Sequence, residues 1–243
     1  MRNKLSRSTG KEPSIQLLAS DEWQDYELLD SGWGHKLERF GEYKFIRLEH
    51  QAIWKPALSP TEWELADAVF VSTNEESGGT WQFQHQIEVP WKMHYKNLSF
   101  MARTGNSRHL GVFPEQATHW DWIQARVRSA GRSLQVLNLF GYTGLASLAA
   151  ADAGARVTHV DASKKTIQYA KENQQLSGLG GKPIRWIVDD AVKYIKREAR
   201  RGAHYDGIIL DPPKFGRGPK GEVWEFFKML PFLLQEIKPI LSS

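Results

Sequence analysis

Between residues 134 and 211 the chain repeats one pattern: a short apolar run closed by glycine or an acid, then a stretch of helical character roughly a dozen residues long. The apolar runs cover 134–140, 156–161, 184–189 and 205–211, and the intervening 144–153, 164–175 and 191–201 have the composition of helices. Strands that alternate with helices are joined by right-handed crossovers. The expected fold of residues 134–243 is therefore α/β, a doubly wound parallel sheet. In such a sheet ligands sit beyond the carboxyl ends of the strands, where the strand order reverses. The strand ends are the place to look for chemistry.

All four ends carry something. The first is Phe140-Gly141-Tyr142-Thr143-Gly144. Two glycines at G-x-x-G spacing let backbone come close to a ligand, and the next helix aims free N–H groups at an anion or carboxylate lodged there. An ordinary tight turn is the competing reading. The second run ends in Asp161, about twenty residues past the turn, a position suited to accepting hydrogen bonds from both hydroxyls of a ribose. Helix capping competes, although Ser163 is available as a cap. The third ends in Asp189-Asp190, where Asp190, ahead of Ala191, can hold an exocyclic amine such as adenine N6 or cap the next helix; Asp189 is an alternative. The fourth ends in Asp211-Pro212-Pro213-Lys214-Phe215. Prolines have a fixed φ and no N–H, so Asp211 and the carbonyl of Pro212 form a rigid acceptor pair. With Phe215 beside it, that pair suits a planar, amine-bearing group. A nicotinamide cofactor would use the same turn and Asp161, but the third glycine of G-x-G-x-x-G is missing.

The first half reads differently. Residues 1–18 are polar and basic and are expected to form a mobile tail. Alternation between glycine turns over 26–48 predicts a β-meander, and Ser59-Pro60 a short capped helix in an otherwise looped 51–79. Further short strands are expected at 81–83, 87–91, 98–103 and 109–113. Together they define a small β-rich domain over 19–118, followed by a linking helix within 119–133. The final helix is placed over 222–237, bent or divided by Pro231. Eight of the ten tryptophans lie at or before Trp122, a distribution that suits core filling better than base stacking.

Composition narrows the classes. No apolar run approaches the roughly 18 residues of a membrane span, and Met1-Arg2-Asn3-Lys4-Leu5-Ser6-Arg7 lacks the apolar core of a signal peptide. A cytoplasmic protein with no membrane partner is expected. With no cysteine there is no disulfide, thiolate metal site or cysteine nucleophile, and no metal is expected. Residues 1–130 carry 15 Lys and Arg against 17 Asp and Glu, whereas 131–243 carry 17 against 11. The basic second half favours an anionic partner such as RNA, with a merely solvated surface as the alternative.

Asn138-Leu139-Phe140-Gly141-Tyr142-Thr143-Gly144, Val160-Asp161-Ala162-Ser163, Asp190-Ala191 and Asp211-Pro212-Pro213-Lys214-Phe215 together resemble the class I S-adenosylmethionine-dependent methyltransferases. Within these the chain is similar to the group containing the large-subunit ribosomal RNA cytosine-5 methyltransferases. The resemblance implies a Rossmann-like methyltransferase sheet and methyl transfer to a base in RNA. It implies cofactor contacts from Asn138, Phe140, Gly141, Tyr142, Thr143 and Gly144, from Asp161 and Ala162, and from Asp190 and Ala191. Asp211, Pro212 and Phe215 would face the methyl acceptor, Asp211 as orienting acceptor or base and Phe215 stacked on the base. Two departures qualify it. Cytosine-5 transfer uses a cysteine thiolate, which this chain lacks. The sequence also stops where the resemblance would begin a fifth strand, so an incomplete sheet with an open edge is expected. A catalytically idle cofactor- or RNA-binding module and a nicotinamide-dependent dehydrogenase are the alternative readings.

Overall fold

The computed structural model describes residues 17–73 and 78–242, so most of the expected tail lies outside the described residues. Strands β1 (Tyr26–Gly32), β2 (His35–Phe40) and β3 (Tyr43–Leu48) form the meander that the alternation predicts. Helix α1 (Pro60–Glu64) starts at Ser59 with a reciprocal capping box to Glu62. Strands β4 (Ala68–Ser72) and β5 (Gly79–Phe83) complete a sheet of order β1-β2-β3-β4-β5, with β4 parallel to β3. The stretch read as loop and helix thus also holds a strand, Ala68-Val69-Phe70-Val71-Ser72, whose β-branched residues were the available signal.

A separate hairpin pairs β6 (Trp91–Tyr95) with β7 (Leu98–Ala102). Its first strand starts at Trp91 rather than at residue 87, because Pro90 has no N–H for the ladder. The strand expected at 109–113 does not form. Its backbone bonds elsewhere: the Arg103 amide donates to the Leu110 carbonyl at 3.0 Å, and the Thr143 hydroxyl to the Gly111 carbonyl at 2.7 Å.

Helix α2 (Ala117–Ser129) leads into the second layer system. Here β8 (Gln135–Leu139), α3 (Leu145–Asp152), β9 (Arg156–Asp161), α4 (Lys164–Leu176), β10 (Ile184–Val188), α5 (Ala191–Arg200) and β11 (Gly207–Leu210) alternate as the sequence predicts. The four strands are parallel, in the order β10-β9-β8-β11. Leu241 pairs with Tyr205 in parallel at the outer side of the β11 segment.

The chain then departs from the predicted helix. Strands β12 (Phe215–Arg217) and β13 (Val223–Glu225) form a hairpin, and helix α6 (Phe226–Ile237) starts only after it. The Trp224 indole N–H donates to the Pro213 carbonyl at 2.7 Å, which fastens this hairpin to the diproline segment. Pro231 lies inside α6 without ending it.

One apolar core joins the two halves. Phe40, Phe45, Trp91 and Phe100 from the front strands pack in the same cluster as Leu145, Leu148, Ala149 and Leu179. Polar contacts support that seam: Ser99 and Met101 amides donate to Ser177 and Asn173 side chains, both at 3.0 Å. Trp91 and Trp120 fill the core as expected, but Trp33, Trp54 and Trp122 stay more than half exposed. Among the described residues no helix is long and apolar enough to cross a membrane.

Candidate active site

Leu139 of β8 pairs with Val160 of β9 on one side and with Leu210 of β11 on the other. The next residue of each strand, Asp161, Phe140 and Asp211, therefore falls in one row across the carboxyl rim. Neighbours in that row are separated by about one strand spacing, ~4.8 Å. The strand order reverses at β8, so the row marks the switch point of the sheet.

The turn between β8 and α3 is strained. Phe140 (φ 57°), Tyr142 (φ 51°) and Gly144 (φ 90°) are all left-handed. For the two bulky residues this costs about 1–2 kcal/mol each, so other contacts must hold them there. The Gly141 amide bonds the Val160 carbonyl at 3.1 Å and the Tyr142 amide the Asp161 carboxylate at 2.9 Å. Asn173 donates to the Thr143 carbonyl at 3.0 Å. The Phe140 ring packs on Trp224 and the Tyr142 ring on Phe113. From below, a Cβ at Gly141 would lie 2.3 Å from the His159 ring, and one at Gly144 would lie 2.9 Å from the Ala170 Cβ. Both glycines are thus dictated by close approach. No side chain caps α3, whose leading N–H groups open toward the rim.

Not every expected turn residue lines that rim. Asn138 is 2% exposed and donates to the Ser147 hydroxyl at 2.9 Å, which places it beneath the turn. Thr143 is also buried, its hydroxyl committed to Gly111.

Asp161 is not the helix cap; Ser163 is, accepting from the Thr166 amide at 3.2 Å. The Asp161 carboxylate accepts from the Tyr142 amide at 2.9 Å and from the Ser163 amide and the Thr166 hydroxyl at 2.8 Å each. A carboxylate has about four acceptor positions, so roughly one remains, on Oδ2. Asp161 has room for one ribose hydroxyl; a second would displace a present partner. Ala162, next along, is half-buried.

At the third strand end Asp190 caps α5, its Oδ1 accepting the Lys193 amide at 2.9 Å, while its other oxygen has no hydrogen-bond partner among the described residues. Asp189 is spent on the Asp190 amide and on Arg197. Of the two alternatives, Asp190 keeps a free acceptor. Ala191 behind it is buried.

At the fourth end partial burial raises the Asp211 carboxyl above its usual pKa, although solvent still reaches the side chain; the positive charge of His119 pulls the other way. The Pro212 carbonyl has no protein donor among the described residues, whereas that of Pro213 is taken by Trp224. Phe215 projects outward, 54% exposed. Sequence reasoning assigned no site role to Phe113, expected within a strand at 109–113, or to His119, which sits on α2 bonded to Gln116 at 2.7 Å. A cavity of about 450 Å³ lined by Arg156, Arg185, Glu198 and Tyr205 lies at the opposite, amino-terminal ends of the strands, away from this row.

The rim thus offers uncapped helix N–H groups, one free lone pair on Asp161 and one free oxygen on Asp190. These suit a carboxylate, a hydroxyl and an amine, and S-adenosylmethionine carries all three. Fold and rim define an α/β protein of the doubly wound kind, in which ligands sit beyond the carboxyl ends of the strands at the switch point. Residues 69–239 match the family of S-adenosylmethionine-dependent methyltransferases, and the chain belongs to that family.

Among curated relatives, the ribosomal RNA large subunit methyltransferase K/L of Shewanella baltica is 44% identical over 215 residues, covering 84% of this chain and 28% of that protein. The protein of the same name from Desulfotalea psychrophila is 31% identical over 159 residues, 64% of this chain and 21% of that one. The chain spans less than a third of the length of these relatives. A crystal structure of a SAM-dependent methyltransferase from Agrobacterium tumefaciens superposes with a TM-score of 0.89 at 49% identity, covering 98% of this chain and 77% of the other. A structure from Streptococcus mutans, at 18% identity and TM-score 0.69, covers 92% and 60% of the two chains and shares the fold.

Proposed function

We propose that this chain binds S-adenosylmethionine along the row of Phe140, Asp161 and Asp211 and directs methyl transfer to a base in RNA, ribosomal RNA foremost. The observation that carries the reading is that row: three adjacent strands bring the glycine turn, the ribose-side acid and the acceptor-side acid to one rim. The RNA part is supported by the K/L relatives and by the net positive second half of the sequence. The domain division at 19–118, 119–133 and 134–243 belongs to the same proposal.

The cofactor supplies a methyl group already activated by a sulfonium; the residues supply binding and alignment. In this reading Gly141, Tyr142 and the uncapped start of α3 receive the carboxylate end. Asp161, with Ala162 beside it, takes one ribose hydroxyl, and the free oxygen of Asp190, backed by Ala191, the adenine amine. Asn138 and Thr143 hold the turn from within. Asp211 and the Pro212 carbonyl orient the acceptor, and the exposed ring of Phe215 stacks on its base. None of the 243 residues is a cysteine. A thiolate adduct to a ring carbon would therefore need a group from outside these residues.

The test is incubation with labelled S-adenosylmethionine and unmodified ribosomal RNA, followed by nucleoside analysis. Label in one methylated nucleoside, lost in Asp211→Ala, is the expected result. Cofactor binding without label in any RNA would leave an idle binding module.

A further inference from the structure

We propose that His159 is a positioning residue of the cofactor turn: its imidazole, oriented by Ser147 and Asn138, presents Nε2–H to the Gly141-Tyr142 backbone and stabilises the conformation that receives S-adenosylmethionine. The inference rests on the cofactor reading above and adds a buried layer that controls it.

His159 stands mid-strand in β9 and is fully buried, with the Trp186 ring centred 4.7 Å away on one side and Gly141 against it on another. Its Nδ1 lies 2.9 Å from the Ser147 hydroxyl oxygen, and that oxygen accepts the Asn138 side-chain amide at 2.9 Å. The Ser147 hydroxyl has no other acceptor among the described residues, so its hydrogen is directed to Nδ1. A neutral ring that accepts at Nδ1 carries its proton on Nε2. Burial keeps the ring neutral, its pKa pushed down to about 3, so it is no acid or base for the reaction.

Nε2 is then a buried donor, and it is the one buried side-chain polar atom without a partner among the described residues. An unmet buried donor is destabilising, and a phenylalanine would fill this space without that cost. The backbone over this atom is that of Gly141, whose added Cβ would lie 2.8 Å from Nε2, followed at once by Tyr142 at a left-handed φ of 51°. The unmet donor and the strained turn therefore face each other. A small rotation of the Tyr142 peptide would bring its carbonyl onto Nε2, which ties occupancy of the turn to one buried hydrogen bond.

Two measurements test this on the intact chain. By nitrogen-15 NMR, the wild-type His159 should carry its proton on Nε2, and that proton should move downfield when S-adenosylhomocysteine is added. By calorimetry and steady-state kinetics, His159→Phe, which keeps the ring packing, should weaken S-adenosylmethionine binding and raise its KM about tenfold, the loss of one buried hydrogen bond, with kcat changed far less. His159→Gln, which restores a donor, should recover part of the loss, and Ser147→Ala, which frees the tautomer without touching the ring, should show a smaller loss of the same kind. A proton found on Nδ1, or unchanged affinity in folded His159→Phe and Ser147→Ala, would overturn the inference. No binding by the wild type would instead sink the cofactor reading itself.

Discussion

The carboxylate of Asp161 accepts the backbone N–H of Tyr142 at 2.9 Å, so the end of β9 grips the turn that follows β8. The bond reaches across two adjacent strand ends and helps hold Tyr142 in its left-handed conformation. In the proposed function Asp161 has two tasks, shaping the turn and offering its remaining lone pair to the cofactor. Loss of the acid should therefore affect both.

Gly141→Ala should disrupt this turn from below. Its Cβ would meet the His159 ring at 2.3 Å, a clash the enclosed imidazole has little room to relieve. Overpacking of this kind costs about 1–3 kcal/mol. Urea unfolding should register that loss, together with loss of cofactor binding, while Gly207→Ala, with nothing within 4 Å of the added Cβ, should stay near wild type.

The front sheet depends on a buried ion pair. Glu38 accepts from Arg47 Nε at 2.6 Å and Nη2 at 2.7 Å, and from the Tyr26 hydroxyl at 3.0 Å, with Glu38 wholly buried. Arg47 also donates to the Arg108 carbonyl at 3.1 Å, which anchors the strand-less segment that leads to Phe113 and the turn. Arg47→Met leaves the buried carboxylate with only the Lys36 amine at 3.5 Å and the Tyr26 hydroxyl, an expected loss of about 3 kcal/mol in denaturant unfolding. A change below about 1 kcal/mol would show that the pair contributes little.

Stability should fall in mild acid. Burial lowers His159 to about 3, and burial with the Arg108, Arg47 and Lys36 charges lowers His109 to about 4. The unfolded chain takes up protons on both histidines below about pH 6.5, while the folded chain does not until much lower pH. Each contribution is complete above about pH 6.5 and is lost as pH falls toward the folded value. At pH 5 the loss is on the order of 2 kcal/mol per histidine, which a melting series from pH 8 to 5 should reveal. His159→Phe should flatten part of that slope.

The pKa of Asp211 is shifted in the other direction, upward. Partial burial raises its folded pKa, so proton release is delayed to higher pH than for a free aspartate. If its anion orients the acceptor, kcat/KM should decline on the acid side with an apparent pKa above that of an ordinary aspartate. Asp211→Asn should lower the rate and abolish that limb; an unchanged limb would assign it to another group.

The parallel sheet was legible because its signals are local: each apolar run closes on glycine or an acid, and Leu139, Val160 and Leu210 stand in register as the alternation implies. The positions of Asp161, Asp190 and Asp211 were legible for the same reason, each at or just past a strand end. What stayed hidden depends on contacts between distant residues. The hairpin of Phe215–Arg217 with Val223–Glu225 is fixed by Trp224 reaching Pro213, which no helical periodicity records. Asn138 reads as a turn residue, yet its side chain points inward to Ser147. His159 lies inside an ordinary strand pattern, and its relation to Gly141 exists only once β9 and the turn are folded together.

Calorimetric titration of S-adenosylmethionine into wild-type protein and Asp161→Ala tests the rim most directly. Binding by the wild type, weakened about tenfold or more in the variant, is the expected result, since hydrogen bonds to a charged group contribute about 1.5–3 kcal/mol. Equal affinity in a folded Asp161→Ala, or no heat with the wild type, would contradict it.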